Sequence, residues 1–190
     1  MTSDSEPDGD HATPLKPHRA PGSTPRATVP CATVAADVSI PERTRVIRRA
    51  TARLCRDLGW SALHEVSLPD GRRADLLALR PDGGLVVVEV KSCARDFLCD
   101  QKWPDYRAHC DALFFAVDPD FPHRLLPDGP GRIVACAEGA EIVLDAAAHV
   151  LAPARRRALL LRFAQLAVAR LAGHEDPEGV AAARMALAAE

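Results

Sequence analysis

Apolar positions along the chain follow two different periods. Between residues 41 and 58, Val46, Ile47, Ala50, Leu54 and Leu58 recur at helical spacing, with Pro41 and Glu42 suited to the first turn and Gly59 to the end. The period then shortens to that of strands: 62–68, 73–79, 85–91 and 112–117 are apolar runs bounded by Pro, Asp and Gly. The 85–91 run is almost unbroken valine, which predicts a strand covered on both faces. Residues 95–111 read as helical, with Pro104 forcing a kink, a break or a new first turn. A proline-rich loop follows, then a hairpin from 132–137 and 141–144. Pro153 opens a long helix to about Leu171, and a short alanine-rich helix starts at Glu178. The order α-β-β-β-α-β, followed by a hairpin and a helix, predicts an α/β domain built on a mixed sheet.

Composition sets the limits of that domain. Residues 1–40 hold six prolines and few large apolar side chains, which predicts a disordered tail. The remaining expectation is one folded domain over 41–172 and a C-terminal tail or short helix over 173–190. Net charge is −2 and the pI about 6.4, so the whole chain is not a bulk polyanion binder. Charge is nevertheless localised: Arg43 to Arg56 contains six arginines and no acidic residue, and Arg155 to Arg157 forms a second basic cluster. The six cysteines form no Cys-x-x-Cys pair, and free thiols fit a reducing cytoplasm. No apolar run approaches the eighteen residues of a membrane span, and the N-terminus lacks a signal pattern.

Chemistry concentrates in the 73–91 hairpin, whose loop is Pro81-Asp82-Gly83-Gly84. Strand alternation puts Arg73 with Asp75 on one face, and Glu89 with Lys91 likewise. A hairpin centred near Asp82 sets Asp75 opposite Glu89, since both lie seven residues from that centre. Two carboxylates at a cross-strand distance of roughly 5 Å repel. A hard divalent cation with a neighbouring lysine is the economical compensation, and Mg²⁺ needs only one or two carboxylates besides water and phosphate oxygens. A preceding hairpin turning at Asp70 and Gly71 brings Glu65 near Asp75 as a third candidate carboxylate. A one-residue slip would flip its face.

Asp75 followed after a hairpin by Glu89-Val90-Lys91 resembles the PD-(D/E)XK nuclease signature. Over about 43–172 the chain resembles the MmcB-type DNA repair proteins of that superfamily. The segments carrying the closer likeness are Gly71-Arg-Arg-Ala-Asp75, Val88-Glu-Val-Lys-Ser92, Asp96-Phe97, Asp100, Lys102-Trp103-Pro104, Tyr106, Cys110-Asp111 and Phe114-Phe115-Ala-Val117. The resemblance implies a restriction-endonuclease-like core and metal-dependent hydrolysis of DNA during repair, leaving a 5′-phosphate and a 3′-hydroxyl. It implies that Asp75 and Glu89, with the Val90 carbonyl, hold Mg²⁺ or Mn²⁺. Lys91 is then expected to position water or stabilise charge on the phosphate. Arg48, Arg73, Arg95 and Lys102 are the expected DNA contacts, and DNA and other repair proteins the expected partners. Two departures matter. Ala74 stands where the signature has proline, and Arg48 stands where many relatives carry a glutamate in the first helix. The second departure supports an alternative: a catalytically inactive DNA-binding or scaffold protein of the same fold. RNA is a third substrate class, because phosphodiester chemistry does not select the sugar.

Overall fold

A computed structural model describes residues 39–100 and 102–181. The predicted N-terminal tail falls almost wholly outside these residues. Helix α1 spans Ile40–Asp57, with Ser39 as N-cap accepting from the Glu42 amide. Its apolar positions Ile47, Ala50, Leu54 and Cys55 are buried, as the helical spacing requires. Six strands follow: β1 (Ser61–Ser67), β2 (Arg73–Leu79), β3 (Leu85–Lys91), β4 (Ala112–Val117), β5 (Gly131–Ala135) and β6 (Ala140–Leu144). They form one sheet in sequential order. The β1–β2, β2–β3 and β5–β6 pairs are antiparallel, while β3–β4 and β4–β5 are parallel. The result is a mixed α/β sheet with a restriction-endonuclease-like core.

Every residue of β3 is buried, because each face of the sheet is covered. On one face α1 packs against Leu76, Ala78, Val86, Val88 and Val90. On the other, α3 (Pro153–Glu175) contributes Leu159 and Phe163 to a cluster with Leu77, Leu85, Val87 and Leu113. Arginines of α3 also close the free edge of β1: Arg170 donates to the carbonyls of His64 and Glu65, and Arg162 to that of Ser67.

The predicted helix over 95–111 is two pieces. Helix α2 covers only Ala94–Cys99, and a 3₁₀ segment covers Trp103–His109. Pro104 accounts for the break: it supplies no amide to a continuing helix and disfavours α conformation in the residue before it, and the chain restarts as a 3₁₀ turn with proline in the first turn. The C-terminal helix runs to Glu175, four residues beyond expectation, and residues 177–181 are again helical. The rest of the expected last helix lies outside the described residues. The expectation of free thiols holds for Cys55, Cys93, Cys99 and Cys110 but not for Cys136, which is disulfide-bonded. Disulfide pairing follows proximity in space, which spacing along the chain does not report. Among the described residues no helix is long and apolar enough to cross a membrane.

Candidate active site

The β2–β3 ladder pairs Leu79 with Leu85 and continues to Leu76 with Val88, where it stops. One further step would set Asp75 level with Glu89, in the register expected from the turn. At that point side chains replace the backbone ladder. Asp75 Oδ2 accepts from the Val90 amide at 2.8 Å, and Glu89 Oε1 accepts from the Asp75 amide at 3.4 Å. The strand ends thus hold two carboxylates in the gap between them. Asp75 is half-buried, and Glu89 is only 3% exposed.

Burial of this kind penalises charge. Desolvation, reinforced by the Asp75 carboxylate, pushes Glu89 up to about 8, so it holds a proton at neutral pH. Burial also raises Asp75, against the opposing pull of the Val90 amide, Lys91, Arg73 and Arg48. Lys91 is buried at the end of β3, and burial alone would lower its pKa. The hydrogen bond to Asp100, together with the charges of Asp100, Glu89 and Asp96, outweighs that, so the ammonium is held above its ordinary range. The Lys91 Nζ to Asp100 Oδ2 distance is 2.5 Å. Asp100 caps the C-terminal end of α2, and Lys91 in turn holds it below the ordinary carboxylate range against the effect of burial. Tyr106 completes the rear of the site. Its hydroxyl donates to the Arg73 carbonyl at 3.1 Å, and burial followed by the charges of Glu89, Asp100 and Asp75 raises its pKa.

In front of these residues lies a cleft of about 570 Å³, lined by Asp75, Lys91, Ser92 and Arg95 together with Ile40 and Thr44 from the start of α1. Thr44 donates to the Ser92 hydroxyl at 2.9 Å, tying the first helix to the end of β3. Arg43, one residue before, pairs with buried Asp118 just beyond β4 at 3.1 Å. The mouth of the cleft is therefore fixed by two polar ties from α1.

Glu65 does not join the carboxylate pair. Strand β1 pairs His64 with Leu76 and Val66 with Ala74, which leaves Glu65 level with Asp75 but at φ +48°. That left-handed conformation is uncommon outside glycine. Its carboxylate lies 2.7 Å from Arg48 and 3.8 Å from Arg73. The expected three-carboxylate cluster is thus corrected to a pair: among the described residues no three His, Cys, Asp or Glu side chains gather closely enough to hold a metal ion. Arg48 on α1 pairs with Glu65 and lies close enough to the site to act on Asp75. Arg73, Arg95 and Lys102 are exposed. Trp103 packs edge-on against Phe115, with ring centroids 5.8 Å apart, and belongs to the core.

Reasoning from sequence missed Asp100 as the partner of Lys91, as well as the Thr44–Ser92 and Arg43–Asp118 ties. A buried lysine demands an acceptor, and Asp100 was a carboxylate within reach of one short helix. The two α1 ties carry no local signal.

The family model for MmcB-like DNA repair proteins matches residues 32–178. The chain belongs to the MmcB-like DNA repair protein family. It matches no curated protein. Among solved structures it is similar to a protein of unknown function from Silicibacter pomeroyi, at 40% identity and a TM-score of 0.70, over 75% of this chain and 96% of that one. Family membership places the chain among DNA repair proteins.

Proposed function

We propose that this member of the family is a metal-dependent DNA endonuclease whose active site is Asp75, Glu89 and Lys91. The observation that carries the reading is the Asp75–Glu89 carboxylate pair where the β2–β3 ladder stops, tied across the strand ends by one amide each, with burial raising both groups. Two carboxylates and an open cleft suit Mg²⁺ or Mn²⁺, which take oxygen ligands and complete their shells with water and phosphate oxygens. Asp75 and Glu89, with the Val90 carbonyl, are the residues that would hold the ion. When bound, it supplies Lewis acidity toward a phosphate oxygen and a more acidic water.

The chain's own groups do the rest. Glu89 must give up its proton to become a ligand, so binding is coupled to proton release. Asp75 is fixed by the Val90 amide, which orients its carboxylate before substrate arrives. Lys91 enters the cleft as a cation held charged by Asp100, suited to balance charge developing on the scissile phosphate. Arg95 at the cleft and exposed Arg73 and Lys102 nearby are candidate backbone-phosphate contacts.

Cleavage assays on single-stranded, duplex and branched DNA with Mg²⁺ or Mn²⁺ test the proposal. Wild type should cut at least one form, with Asp75→Ala and Lys91→Ala inactive while retaining DNA binding. A second reading is a non-catalytic DNA-binding or scaffold protein of a repair complex. It is favoured by Arg48, whose guanidinium sits beside Glu65 near the site. Wild type that binds DNA without cutting any form, and mutants that bind equally well, would establish that reading instead.

A further inference from the structure

Helix α3 carries two stripes, and the sheet uses one of them. Leu159 and Phe163, backed by Leu160 and Leu166, face the core. A second stripe runs Arg157, Leu161, Ala164, Val168, Leu171, Glu175, with alternating steps of four and three residues. That is the spacing of a coiled-coil seam. Every member is exposed, Leu161, Val168 and Leu171 at 57%, 65% and 54%. At 100° per residue the seam centres roughly 120° round the helix from Phe163, so packing on the sheet leaves it open. A soluble helix rarely leaves an apolar seam of this regularity without a partner.

The order of residues in the seam selects the partner. It reads as its own complement when reversed about residue 166. Two copies of α3 laid antiparallel set Arg157 against Glu175, Leu161 against Leu171 and Ala164 against Val168, then repeat the same contacts on the other side of the axis. An isologous two-fold interface requires this reciprocity. A parallel pair would instead set arginine on arginine and glutamate on glutamate. The flanking positions Ala158, Gln165 and Ala172 bring no charge to oppose close approach.

We propose that the Arg157–Glu175 seam of α3 is a homodimer interface, occupied by the same seam of a second copy in antiparallel orientation. The seam offers four apolar layers closed at each end by an ion pair, so association is reversible and concentration-dependent. The inference is independent of the nuclease reading.

Sedimentation equilibrium of the full chain, up to about 0.5 mM, tests it. Wild type should dimerise, and Val168→Glu or Leu161→Glu should leave a monomer with unchanged helical circular dichroism, both side chains being exposed. Arg157→Glu should weaken the dimer about tenfold by setting like charges together at both ends. The double variant Arg157→Glu/Glu175→Arg should restore it. That rescue separates a specific antiparallel register from general stickiness. A monomeric wild type would overturn the proposal and leave the seam to residues 182–190 of the chain or to another protein. A dimer indifferent to Val168→Glu, or a double variant no better than Arg157→Glu, would also overturn it.

Discussion

The two ends of β3 both meet carboxylates, and treat them in opposite ways. At the start of the strand Asp111 receives the Leu85 amide at 2.8 Å, the Leu151 amide at 3.2 Å and a two-pronged contact from Arg156 at 2.6 and 2.8 Å. Burial alone would raise its pKa, but Arg156 and those amides pull it below the ordinary carboxylate range. At the far end Asp75 and Glu89 share one backbone amide each, and burial raises both. Donor supply is the difference. A carboxylate saturated with donors is a joint in the fold, whereas a pair short of donors is poised for a ligand.

The contrast can be broken at either end. Asp75→Ala should lower DNA cleavage by about a thousandfold, measured under single-turnover conditions, while leaving the melting temperature of the metal-free protein equal or higher. Glu89→Gln removes a group that is neutral when unfolded only below its ordinary pKa of 4.5, yet stays protonated in the fold up to about 8. Between those values the folded state binds more protons than the unfolded state, so wild-type stability falls as pH rises through that window. Denaturant melts of the metal-free protein should therefore show Glu89→Gln equal to wild type near pH 4 and more stable by up to about 4 kcal/mol at pH 9. Asp111→Ala works the other way. It strands Arg156 and two amides, and should cost about 3 kcal/mol near neutral pH by the same melts. Because Asp111 is already ionised at neutral pH, that loss should shrink as acid protonates the carboxylate. Arg48→Ala should cost at most about 1 kcal/mol, since both it and Glu65 remain partly exposed.

The sequence made the centre of this comparison legible and its surroundings less so. Valine-rich β3 and the Pro81–Gly84 turn set both the buried central strand and the Asp75–Glu89 register, because strand period and turn length leave little choice. Glu65 escaped that logic. Its register relative to Asp75 was readable, but its φ of +48° was not, and a single left-handed residue redirects a side chain that strict alternation would have aimed inward. Asp100 was hidden for a different reason. Its role depends on where α2 ends, and Pro104 shortened that helix in a way that periodicity alone does not resolve. The Asp111 joint depends on Arg156, 45 residues away, and no local pattern announces such a pair.

Divalent-ion binding to the metal-free protein probes the difference between the ends most directly. Isothermal titration with Mn²⁺ should give a site in wild type, with proton release near pH 7 as Glu89 ionises. Asp75→Asn should abolish that site, whereas Asp111→Asn, if folded at the temperature used, should keep it. Wild type that takes up no ion, or an Asp75→Asn protein that binds as tightly as wild type, would contradict the account.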